Sequence, residues 1–304
     1  MSDAPAGGPL RLLVTVPATS ANLGPGFDSL GLAIDLRLTV RATVGAEDGF
    51  AYAGEGPAPS REGNLVHRGF EAAYAAAGRR APPVALEVDN PVPLARGLGS
   101  SSAALVAGVA AADAAMGGAL GRDGVFGVAA ELEGHPDNVG PAVYGGFVVA
   151  ARGEDGAFVA RSFPVPEDWR LLFGVPSFAV PTAAARAALP ATCALADAAL
   201  TASRAALWVA AVATGDRALL RTASLDVIHQ PHRARLVPGL EGLLRDLRAA
   251  GADAAYLSGA GPTVGAIAGD EALAACREVL AAWVGPEGRV LEPRPATGYA
   301  VTRC

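Results

Sequence analysis

Pro91-Val92-Pro93-Leu94-Ala95-Arg96-Gly97-Leu98-Gly99-Ser100-Ser101-Ser102-Ala103 joins one regular element to the next, and its reading decides the fold. On its N-terminal side Val84–Val88 reads as a strand. On its C-terminal side the small apolar run from Ser100 to Met116 reads as a helix. Gly97 and Gly99 remove side chains where a backbone must turn sharply or approach a ligand. Three hydroxyls then open the helix, whose first turn offers unpaired N–H groups and the positive end of the dipole. That end suits an anion, and a serine hydroxyl suits magnesium held by nucleotide phosphates. An ordinary N-cap after a turn is the plainer alternative, but two glycines followed by three serines are more than capping needs. The pattern is neither G-x-G-x-x-G nor a Walker A loop.

The rest of the chain narrows what such a loop can do. All 24 basic residues are arginine, so Walker A, protein-kinase and Schiff-base chemistry, each of which needs a lysine, are excluded. A phosphate site here must use backbone N–H groups, a helix dipole, arginine and metal. The net charge of −6 argues against a nucleic-acid partner, which wants a basic face. Three cysteines, Cys193, Cys276 and Cys304, form no CxxC and suggest neither a disulfide framework nor a zinc site. A reducing, cytoplasmic setting is expected. The N-terminus lacks a basic n-region and an apolar h-region, so no signal peptide is expected. The stretch Ala103–Met116, broken by Asp113, is too short to cross a membrane, and no membrane partner is expected.

Outward from the loop, Leu36–Val44 alternates apolar and polar residues as a half-buried strand does, and Leu10–Val16 is a shorter candidate. Helices are expected at 64–77, 100–116, 122–133, 183–189, 195–213, 240–250 and 271–282. Further strands are expected at 84–88, 144–151, 171–175, 254–257 and 263–268, with two short ones closing the chain. No regular βαβ repeat emerges, so the fold class is α+β in two layers. Pro164 and Pro166 suggest a junction, dividing the chain into a disordered tail over 1–9 and domains over 10–163 and 164–304.

Pro93–Ala103 resembles the phosphate loop of the GHMP kinase superfamily. Two further segments match the same superfamily. Val16–Asp28, with Pro17-Ala18-Thr19-Ser20-Ala21-Asn22-Leu23-Gly24-Pro25-Gly26-Phe27, resembles the first motif of homoserine kinases, and Tyr256–Thr263 resembles the third motif. Glu133-Gly134-His135-Pro136-Asp137-Asn138-Val139 followed by Tyr144-Gly145-Gly146 resembles homoserine kinases as well. The matches fall in the expected order over nearly the whole chain. They imply an N-terminal domain like ribosomal protein S5 domain 2 and a ferredoxin-like C-terminal domain. They also imply ATP-dependent phosphorylation of the L-homoserine hydroxyl, a step of threonine biosynthesis, and a homodimer.

The resemblance assigns roles by position. The loop residues Pro93 to Ala103, with Asn64 and Thr263, would bind ATP, and Ser101 and Glu133 would hold Mg2+. Arg186 and Arg235 would take the substrate carboxylate, which suits their bidentate geometry. Asp28 and Asn22 would hold the ammonium and orient the acceptor, and His135 would line its pocket. Several of these residues also have plainer readings. Asn64 can be an N-cap, Glu133 a solvated helix end, Arg186 and Arg235 surface arginines, and Asn22 part of a turn. Asn138 falls where mevalonate-kinase-like members carry an aspartate base. An amide cannot accept the proton, so catalysis by Asn22, Asn138 and Arg186 through positioning and charge stabilisation is expected. The competing functions are a kinase of another small alcohol such as mevalonate, and a non-catalytic nucleotide- or RNA-binding module.

Overall fold

The computed structural model describes residues 8–60 and 63–304. The tail expected over 1–9 lies outside the described residues as far as residue 7. Strand β1 (Leu10–Asn22) runs antiparallel to β2 (Gly26–Val44), a strand of 19 residues. Pro17 cannot donate to the ladder, and the register shifts between Pro17 and Ala18. The shift splits β2 into two working halves. Leu30–Leu32 pairs with β5 (Phe147–Arg152), and Thr39–Val44 pairs with β4 (Val84–Asn90). Strand β3 (Gly49–Gly54) adds to β4 in parallel, and β6 (Phe158–Phe163) adds to β5. Neither β3 nor β6 is among the expected strands; β3 is short and built largely of glycine and alanine.

Helices α1 (Leu65–Ala76), α2 (Ser100–Ala115) and α3 (Gly121–Glu133) cover this first sheet. Helix α2 is buried almost all round, as its uniformly small apolar sequence requires. A Cβ at Gly108 would sit 1.9 Å from the Val66 carbonyl, so the glycine allows the close crossing of α1 and α2. The strand expected from Tyr144 starts later. A short helix α4 (Val139–Tyr144) precedes it, and Gly145 and Gly146, at φ 78° and 66°, break the helix before β5.

The second sheet has the order β10-β7-β9-β8, from β7 (Arg170–Val175), β8 (Ala254–Leu257), β9 (Val264–Ala268) and β10 (Arg289–Leu291). Strands β7, β8 and β9 are apolar almost without interruption because both faces are buried. Leu171, Phe173, Ala254, Tyr256 and Ile267 face the core of the first sheet. Leu172, Ala255, Leu257 and Val264 face α9 (Leu240–Ala249) and α10 (Leu273–Val284). Between β7 and α9 lie α5 (Thr182–Ala187), α6 (Leu195–Thr214), α7 (Leu220–Ala223) and α8 (Gln230–Arg233).

One expectation is corrected. The last strand, β11 (Ala300–Arg303), pairs with β1, and Pro295 and Thr297 bridge to Ile34 and Gly145. The chain end therefore belongs to the first sheet, and 164–304 is not one separate unit. Helix α6, with 20 residues, is long and apolar enough by length and composition alone to cross a membrane, a test that the core helix of a soluble protein also passes. It packs Trp208 against Phe147, with ring centroids 6.0 Å apart, and against Tyr256.

Candidate active site

A cleft of about 380 Å3 runs from Phe50, Tyr52 and Asn64, past the loop before α2, to Asp28, His135, Arg186 and Arg233. The loop supplies its middle wall. Pro93, Leu94, Ala95, Arg96, Gly97, Leu98, Gly99, Ser100 and Ser101 all line it. Gly99 has φ 67°, and a Cβ there would meet Thr19 Oγ1 at 2.0 Å and Asn138 Oδ1 at 2.9 Å. Only glycine fits. Ala95 adopts φ 51°, a conformation that costs a non-glycine residue roughly 1–3 kcal/mol. Ala103 N–H makes the first bond of α2, to Gly99 O at 2.9 Å. The N–H groups of Ser100, Ser101 and Ser102 are thereby left over at the positive end of the helix.

The rest of the chain braces this loop. Asn90 Nδ2 donates to Ser100 Oγ (3.0 Å), and Ser258 Oγ donates to Gly97 O (2.7 Å). Thr263 N–H donates to Arg96 O (3.3 Å). Thr263 is fully buried and Ser102 and Ala103 are turned inward. These three residues stand behind the loop and do not line the cleft, contrary to the expectation that they contact ATP. The Arg96 guanidinium donates to the carbonyls of Pro176 (3.0 Å), Leu94 (3.2 Å) and Ser177, so it ties the loop to the end of β7.

Ser101 Oγ and Ser102 Oγ both donate to Glu133 Oε1, at 2.6 and 2.9 Å. A hydroxyl and a carboxylate beside free helix N–H groups are hard oxygen donors, which fits Mg2+. Asn64 is an N-cap: its Oδ1 accepts from Val66 and His67 N–H at 3.1 and 3.2 Å, while the residue also lines the cleft.

At the far end, the β1–β2 turn places Asn22, Leu23 and Asp28 at φ 68°, 50° and 54°, a cluster of left-handed non-glycine residues. Asn22 Nδ2 donates to Gly259 O (2.9 Å), and Asn22 Oδ1 accepts from Asp28 N–H (3.1 Å), so this amide shapes the turn. Arg186, on α5, pairs with both oxygens of Asp28 at 3.0 and 2.7 Å. Those bonds raise its pKa above the usual arginine value, against the effect of burial. His135 Nδ1 and Asp137 Oδ1 are 2.6 Å apart. Burial lowers the His135 pKa, yet the hydrogen bond and charge of Asp137, with the charge of Glu133, outweigh it and leave the value raised. Asn138 stands at the N-cap position of α4 without a side-chain cap bond, and its Oδ1 accepts from Thr19 Oγ1 (2.8 Å).

Arg235 is exposed and donates to Ala188 O at 3.3 Å, outside the cleft. The arginine that lines the cleft is Arg233, 2% exposed and held by Ala185 O (3.2 Å) and Gly259 O (3.0 Å). Residues two apart on a helical turn face different ways, and the sequence does not fix the register of so short an element. Burial, with the charge of Arg186 beside it, lowers the Arg233 pKa to about 10. Phe50, Tyr52, Asn90 and Gly259 also line the cleft without having been singled out, and so does Asp137, the neighbour of Asn138 in the sequence. Asn90-Pro91 carries a turn signal that marks the first bend of the loop; β3 carries no comparable signal.

The chain matches the family models described as GHMP kinases N terminal domain, over residues 64–146, and GHMP kinases C terminal, over residues 208–285. It is 51% identical to a homoserine kinase of Thermus thermophilus over 284 residues, covering 93% of this chain and 96% of that one. A homoserine kinase of Deinococcus radiodurans is 47% identical over 253 residues, 83% of this chain and 82% of that one. The crystal structure of homoserine kinase from Cytophaga hutchinsonii superposes with a TM-score of 0.85 at 28% identity, covering 99% of this chain and 100% of that one. The crystal structure of L. major mevalonate kinase in complex with R-mevalonate shares the fold at TM-score 0.68 and 17% identity, over 93% of this chain and 96% of that one. At 51% identity over 93% of its length, and with both GHMP kinase models matched in order, the chain belongs to the homoserine kinase family of the GHMP kinases.

Proposed function

We infer that the protein transfers the γ-phosphoryl group of ATP to the side-chain hydroxyl of L-homoserine, giving O-phospho-L-homoserine. One observation carries the choice of acceptor. The cleft ends in a carboxylate, Asp28, and two guanidiniums, Arg186 and Arg233, within one pocket. A zwitterion needs both signs side by side. Arg186 and Asp28 pair with each other in the structure; a zwitterion offers a new partner to each, whereas a hydroxy acid without an amine, such as mevalonate, would draw on Arg186 and give Asp28 no cation in exchange. The ammonium goes to Asp28, and the carboxylate goes to Arg186 and Arg233, the partner now placed where Arg235 was expected.

The phosphates lie along Gly97–Ser101, where the free N–H groups and the dipole of α2 meet them. Ser101 and Glu133 would hold Mg2+, which would supply charge neutralisation on the phosphate oxygens. The chain's own residues position the acceptor hydroxyl. The Asn138 amide, fixed by Thr19, faces Gly99 and cannot accept a proton. Asp137 and His135 are engaged with each other at 2.6 Å, so each already has a partner. Positioning and electrostatic stabilisation therefore carry the reaction, which its loose transition state permits. The test is a panel of small alcohols with ATP and Mg2+, read by 31P NMR. A phosphomonoester is expected with L-homoserine; preferential turnover of mevalonate would overturn the reading.

A further inference from the structure

His229 precedes α8, is fully buried, and takes no part in the chemistry described above. Its Nε2 lies 2.7 Å from Gly24 O, and its Nδ1 lies 3.3 Å from Arg233 Nη1. A carbonyl can only accept and a guanidinium can only donate. The ring must therefore carry its hydrogen on Nε2 and keep a lone pair on Nδ1 for Arg233. A protonated ring would put a donor against the guanidinium, so the arrangement exists only with neutral imidazole. Burial pushes the His229 pKa down, in agreement. Asp226 accepts from the N–H groups of Ile228, His229 and Gln230 at 3.0, 2.9 and 2.6 Å, which fixes the backbone that carries the ring.

The two partners of the ring belong to the two halves of the acceptor site. Gly24 lies in the turn that carries Asn22 and Asp28. Arg233 is the second guanidinium, and its Nη1 and Nε are spent on Gly259 O, His229 and Ala185 O. Among the described residues Nη2 has no hydrogen-bond partner, which leaves it for a ligand. We propose that His229 is a positioning residue for the acceptor: its neutral, Nε2-protonated imidazole holds Arg233 and the Asn22–Asp28 turn in a single register. This rests on the reading of the cleft as a homoserine site.

Two isosteric substitutions separate the ring's two contacts. Asn at 229 can present an acceptor near the Nδ1 position, and Gln can present a donor near the Nε2 position. In the purified enzyme, His229→Gln is expected to raise KM for homoserine at least tenfold, with KM for ATP within twofold of the parent. His229→Asn is expected to recover much of that loss. Equal effects on both KM values, or no effect in a folded variant, overturn the proposal. Long-range 1H–15N spectra of the parent protein, with the other histidines assigned by replacement, give a second readout that needs no folded variant at 229. An Nε2–H tautomer that shifts on homoserine addition supports the proposal, and an Nδ1–H or cationic ring overturns it. A parent enzyme that phosphorylates no homoserine in the same assay removes the underlying reading instead, and the proposal falls with it.

Discussion

Asn138 holds an amide at the point where the phosphate loop meets the acceptor end, with Oδ1 occupied by Thr19 and packed against Gly99. Because the amide positions and does not take a proton, Asn138→Ala should lower kcat by roughly tenfold or more, the scale of a lost positioning contact. Asn138→Asp should give no large gain. Steady-state kinetics decide, and a strong gain in the Asp variant would show that a base was the missing element. The arginines give a sharper contrast. Arg186→Ala and Arg233→Ala should each raise KM for homoserine by about ten- to a hundredfold, since a charge-assisted hydrogen bond contributes about 1.5–3 kcal/mol. Arg235→Ala, outside the cleft, should stay within twofold; the reverse ranking would restore the sequence-level choice. Two histidines also make opposite contributions to pH-dependent stability. His229, depressed below its ordinary 6.5 by burial, refuses a proton that the unfolded chain binds, so it costs stability as pH falls below about 6.5. His135, with a raised value, adds stability below 6.5 that is lost as pH rises through its folded value. His229→Asn should therefore lose less stability than the parent between pH 7 and pH 5 in urea titrations. An equal or larger loss contradicts the neutral buried ring.

At the scale of elements, the helix behind the Gly97–Ser101 loop is held close against its neighbour. Helix α2 is seated against α1 through Gly108, where a methyl group would press on the Val66 carbonyl at 1.9 Å. Gly108→Ala should cost about 1–3 kcal/mol and several degrees in Tm, as overpacking does, with KM for homoserine little changed. Calorimetry beside kinetics checks both halves, and an unchanged Tm would show that the helices are free to separate. The loop and this helix were legible in the sequence because glycine pairs and hydroxyl runs have local causes. So was the N-cap of α1, where Asn64 caps and lines the cleft at once. Strand β3 was not legible: a six-residue parallel strand of small residues has no periodicity strong enough to announce itself. Its Phe50 and Tyr52 nevertheless form one end of the cleft.

At the scale of the molecule, the two sheets share a core, since one face of the second sheet packs into the first. The end of the cleft proposed to take the acceptor is built across that contact. Asp28 comes from β2, Arg186 from α5 and Arg233 from α8, 158 positions separating the first pair. Motif order along the chain foretold the family, but which of two neighbouring arginines faces the cleft depends on long-range packing. The return of β11 to β1 depends on it too, because a strand at a sheet edge finds its partner by shape and register over nearly the whole chain. The measurement that bears most directly on this account is a crystal structure with ADP, Mg2+ and L-homoserine bound. The account predicts phosphates on the N–H groups of Gly97–Ser101, the metal held by Ser101 and Glu133, and the homoserine carboxylate on Arg186 and Arg233 with its ammonium on Asp28. Phosphates elsewhere in the cleft, or a carboxylate that Arg186 and Arg233 do not share, would contradict it.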